Sequence, residues 1–108
     1  MTATNLAAIY DIKRIVADEF GIGVELLAGR KRYPYIVIPR MVAMYFARIY
    51  GMGCTPKISL QPLADIFGAK DHGTIIHACK ATESRREVDI KFRTKTNVIA
   101  MKIAKALR

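Results

Sequence analysis

The densest group of chemically capable side chains is Lys70-Asp71-His72-Gly73-Thr74. These short polar groups precede an apolar-periodic stretch, which places them at an exposed helix start. Backbone N–H groups are unpaired there and point outward. Such a turn can offer side-chain donors to base edges and N–H groups to phosphate. Asp71 on position alone is an N-cap. A second group, Arg30-Lys31-Arg32, lies next to Tyr33 and Tyr35. It reads either as a solvated charge run or as a clamp on a phosphate backbone.

Other chemistries find little support. No nucleophile has a base and an orienting partner, and the nine acidic residues are too scattered for a two-metal nuclease cluster. The expectation is therefore no enzyme and no cofactor. Cys54, Cys79, His72 and His77 lack paired zinc-ligand spacing. Cys79 falls within IIHACKA, where core packing is the simpler role. His77 is as readily packed as exposed. No apolar run approaches the ~20 residues needed to span a bilayer. MTATNLAAIYD lacks the basic start and apolar stretch of a signal peptide. No membrane partner is expected, and the implied location is cytoplasmic. Eighteen Lys and Arg against nine Asp and Glu give a net charge of +9, which suits a polyanion partner.

These groups need elements to position them. At 108 residues, 52% hydrophobic, the chain is a single domain, 1–108, able to bury a core. Leu6, Ile9, Ile12, Val16 and Phe20 recur at helical steps, with Thr4 as a cap and Gly21 as a stop. Residues 24–27 read as one or two helical turns, and Gly29 opens a basic loop. Pro39 suits the first turn of a helix, whose stripe is Val42, Tyr45, Phe46 and Ile49. Residues 51–58 read as a loop. Ser59 caps a short helix, with Pro62 in its first turn. Gly68 turns the chain, and Asp71 starts a helix through residue 83. A basic helix at about 95–107 closes the chain, with Lys91, Arg93, Lys95, Lys102 and Lys105 on its wet side or just ahead of it. No strand pattern or repeat is evident. The expected class is all-α, a compact helical bundle. Two short helices joined at Gly68 make a helix-turn-helix, whose second helix would enter the major groove.

The stretch FGAKDHGTIIHACKATE resembles the signature of the C-terminal domain of the bacterial chromosome-replication initiator DnaA. That signature runs Gly, Gly or Arg, Arg, Asp-His, Ser or Thr, Thr, then Val or Ile. Here it is Gly68, Ala69, Lys70, Asp71, His72, Gly73, Thr74 and Ile75. IKRIVADEFGIGVELLAGRKR is similar to the family's first helix and basic loop, and IPRMVAMYFAR to its long third helix. The resemblance covers about residues 5–86. It implies a TrpR-like helix-turn-helix variant that binds short DnaA-box sequences in double-stranded DNA. By matched position, Asp71, His72 and Thr74 would face the major groove, with Gly73 among them and His77 and Lys80 farther along the helix. Arg40, at the start of the third helix, would contact phosphate, and Lys70 lies at the turn that starts the recognition helix. Arg30, Lys31 and Arg32 would reach an adjacent minor groove. Ser59 and Leu60 would set the helix-turn-helix against the backbone.

The chain also departs from that pattern. Gly73 replaces a Ser or Thr that touches bases in the family. Met41 stands where the initiator has a polar residue. The basic loop is one residue longer, and the 51–58 loop several residues longer. The GxxxxGK[ST] phosphate-binding run does not occur, so no nucleotide partner is implied. Two functions compete: sequence-specific DNA binding in replication-initiation control or transcription regulation, and docking onto replication proteins with weak or no DNA binding. The basic charge favours the first; Gly73 and the long loop favour the second.

Overall fold

In the computed structural model, which describes residues 6–28, 32–51 and 61–106, helix α1 runs Leu6–Phe20 and ends at Gly21. Gly21 takes φ 70°, a left-handed conformation open to glycine without a Cβ clash. Its N–H donates to the Asp18 carbonyl, and the Ile22 N–H donates to the Ala17 carbonyl at 3.0 Å. This paired pattern closes a helix by satisfying its last carbonyls. A 3-10 turn, Val24–Leu27, follows and drives Leu27 fully into the core.

Helix α2 spans Pro34–Phe46 and continues into a π-helical turn, Ala47–Gly51. The expectation that Pro39 occupies its first turn is corrected. Pro34 holds that place, and Pro39 lies inside the helix. The Tyr33 carbonyl accepts the N–H groups of Ile36 and Val37, both at 2.8 Å, so the helix is nucleated before Ile36-Val37-Ile38. Pro39 is tolerated because it loses only one ladder bond. Its ring is buried, so packing offsets part of the cost.

Helix α3, Gln61–Ile66, and helix α4, His72–Val88, form the helix-turn-helix. Its turn repeats the device at Gly21. Gly68 has φ 66°, its N–H donates to the Asp65 carbonyl, and the Ala69 N–H donates to the Ala64 carbonyl at 2.8 Å. Helix α5 runs Ile90–Ala106. The sequence-based boundaries placed the end of α4 at residue 83 and the start of α5 near 95. Both are corrected, because only Asp89 separates the two helices. Asp89 takes extended backbone, and its carboxylate accepts the Phe92 N–H at 3.0 Å, capping α5.

No strand occurs among the described residues, and the all-α class stands. Ile9, Ile12 and Val16 of α1 meet Val42, Met44 and Phe46 of α2 in one core. Leu63 and Phe67 enter it from the α3 side, Ile75 and Ala78 from α4, and Ile99 and Ile103 from α5. Cys79 is buried there as expected. Ile49, assigned to the apolar stripe, lies instead at the surface. Lys95 and Lys102 are not simply wet. Their ammonium groups reach the Glu19 carbonyl at 3.4 Å and the Glu19 carboxylate at 2.6 Å, tying α5 to α1. No helix is long and apolar enough to cross a membrane, among the described residues.

Candidate nucleic-acid interface

Helix α4 has two faces that can be traced residue by residue. Ile75, Ala78, Cys79 and Thr82 recur at steps of three and four and are buried. Gly73, His77, Lys80 and Ser84 recur at steps of four and three on the exposed side. The buried set locks the helix against the core, chiefly against α2, and this fixes where the exposed set points. Asp71 and His72 begin the helix and are also exposed. Asp71 is the N-cap by position, yet its carboxylate makes no capping hydrogen bond. The Thr74 N–H is taken by the Asp71 backbone carbonyl instead, at 3.2 Å. The carboxylate can therefore serve another purpose than closing its own helix.

A groove of about 700 Å³ lies between α2 and the helix-turn-helix corner. Arg32 and Arg40 line one wall, and Lys70, Asp71, Gly73, Thr74 and His77 line the other. Seven residues singled out in the sequence thus meet in one place. His72 and Lys80 are exposed on α4 but lie outside this lining. Arg30, Lys31, Ser59 and Leu60 lie outside the described residues.

Arg40 differs from its expected placement. It stands in the middle of α2, not at its start, and is only 9% exposed. The reason is the earlier start of α2 at Pro34. Burial lowers the Arg40 pKa from its ordinary value, and the positive charge of Arg32 lowers it further. An arginine remains charged even so. The Arg32 charge on the same wall thus disfavours that of Arg40, and an anion in the groove would relieve it.

Val37, Met41 and Met44 supply an apolar floor to the groove that sequence reasoning did not assign. The signal was present in their spacing of four and three, which puts them on one side of α2 near Arg40. His77, left open between packed and exposed, is exposed and lines the groove. Among the described residues no cluster of three or more His, Cys, Asp or Glu could hold a metal ion.

Comparison with known proteins gives a consistent picture. Residues 9–81 match the family described as "Bacterial dnaA protein helix-turn-helix". The chain is 31% identical over 103 residues to the chromosomal replication initiator protein DnaA of Oenococcus oeni, covering 95% of this chain and 22% of that protein. It is 40% identical over 85 residues to DnaA of Lactobacillus delbrueckii subsp. bulgaricus, covering 77% of this chain and 18% of the relative. With DnaA of Rickettsia bellii the identity is 36% over 98 residues, 91% of this chain and 20% of the relative. The chain therefore spans about a fifth of the length of the curated relatives it matches.

Proposed function

Because this chain belongs to the bacterial DnaA helix-turn-helix family, we propose that it binds double-stranded DNA sequence-specifically, in control of replication initiation or in transcription regulation. The observation that carries this reading is the groove between α2 and the start of α4. It gathers three cations, Arg32, Arg40 and Lys70, beside Asp71, Thr74 and His77. Cations facing a groove supply sequence-independent attraction to phosphate. Short polar side chains at the first turns of an exposed helix supply contacts to base edges.

The roles divide by position. Lys70 and Arg40 hold phosphates, and α4 presents Asp71, His72, Thr74 and His77 to the major groove, with Lys80 beyond them. Arg32, with Arg30 and Lys31, enters the neighbouring minor groove. Ser59 and Leu60 brace the start of the helix-turn-helix on the backbone. Gly73 contributes room and no side chain, so the preferred sequence differs from a DnaA box at the base it faces.

The test begins with selection of bound sequences from random duplex DNA. His72→Ala is expected to cost about 1–3 kcal/mol on the selected site and little on scrambled duplex. Lys70→Ala is expected to weaken both by a similar factor, and being exposed it is a cleaner phosphate variant than buried Arg40. Equal losses for both variants on both duplexes would show that α4 is not the reading helix.

A further inference from the structure

Tyr33 and Tyr35 stand directly after Arg32 and are 58% and 61% exposed. Their rings stack on one another, with centroids 5.8 Å apart and planes 21° from parallel. The pair is held in place by the backbone. Tyr33 is the N-cap of α2, Pro34 fixes the next φ, and the Tyr33 carbonyl accepts two N–H groups at 2.8 Å. The rings are therefore pre-organised at a helix start whose preceding residue, Arg32, lines the cationic groove.

A stacked pair keeps its outer faces open. The interior of an intact duplex cannot use them, since its base faces are covered by neighbouring bases and only edges and backbone are accessible. An unpaired base does present a face, and its strand carries the phosphates that Arg32 attracts. Aromatic rings beside a cationic track are the means by which proteins hold single strands. We propose that Tyr33 and Tyr35 form a stacking shelf for an unpaired DNA base beside the bound duplex. The domain then grips a duplex bordered by single strand more tightly than a blunt one. The inference rests on the DNA-binding reading of the groove.

The experiment compares three DNAs: the selected duplex with blunt ends, the same duplex with a short oligothymidine arm on either end in turn, and the arm alone. An arm is expected to tighten binding about tenfold. Tyr33→Ala and Tyr35→Ala should abolish most of that gain and leave blunt-duplex affinity unchanged. Tyr35→Phe, which keeps the ring, should retain the gain. Circular dichroism of each variant verifies the fold. The shelf is overturned if arms add nothing to the intact protein. It is also overturned if the alanine variants weaken blunt and armed duplexes equally, which would make the tyrosines backbone contacts. An arm gain untouched by both substitutions overturns it too, and would turn the pair toward a protein partner. Failure to bind any of these DNAs would instead overturn the groove reading together with the shelf, whereas binding of blunt duplex without an arm effect removes the shelf alone.

Discussion

At Gly73 the absence of a side chain has a measurable geometry. A Cβ built there would lie 3.1 Å from Asp71 Oδ1, closer than ordinary contact. Gly73→Thr therefore restores the family's residue only by pushing the Asp71 carboxylate aside. That shift is inexpensive, because the carboxylate makes no capping bond, but it moves a group proposed to meet bases. The expected outcome is a change of preference toward DnaA-box-like sites, with stability altered by no more than about 1 kcal/mol. Competition between selected and DnaA-box duplexes measures the first, and urea denaturation the second. Cys79 allows a separate test. Burial pushes its thiol up from the ordinary 9.0, opposed by a hydrogen bond from Arg48. Folding thus favours the protonated thiol, a stabilisation complete below pH 9 and lost as pH rises through the folded value. Native protein at neutral pH should resist alkylation at Cys79, and denaturant should expose it. Peptide mass mapping would follow that residue, and fast modification of folded protein would contradict its packing.

At the scale of elements, the joint between α4 and α5 is the most informative. Asp89→Ala removes the carboxylate that accepts the Phe92 N–H, and about 1 kcal/mol of stability should go with it. For a domain of this size that lowers Tm by several degrees, which a thermal melt resolves. Asp89→Asn should recover most of the loss. This joint was not legible in the sequence, because SRREVDIKF contains no glycine or proline to announce a break. One extended residue suffices, and its signal is a lone aspartate among other charges. The two glycine stops were legible, since only a left-handed residue closes those helices in that way. The start of α2 was misplaced because two prolines compete for one first turn, and sequence periodicity alone does not rank them. The exposed start of α4 at Lys70, Asp71 and His72 followed from its polar run ahead of an apolar-periodic stretch. The burial of Arg40 did not, since it depends on which turn of α2 faces α4.

For the whole molecule, the +9 charge sets how binding responds to salt. Arg30, Lys31 and Arg32 in the minor groove, with Arg40 and Lys70 on the backbone, would together neutralise about five phosphate charges. The slope of log affinity against log salt concentration should then be on the order of −4 to −5. A flat response in a titration across salt would favour docking onto replication proteins instead. A different global property follows from the ties between α1 and α5. Glu19 and Lys102 are 83 positions apart, and Ile99 and Ile103 complete the core from the far end of the sequence. A nascent chain that has not yet produced α5 leaves apolar surface of α1 and α4 in water. The core is therefore complete only once residue 103 has left the ribosome.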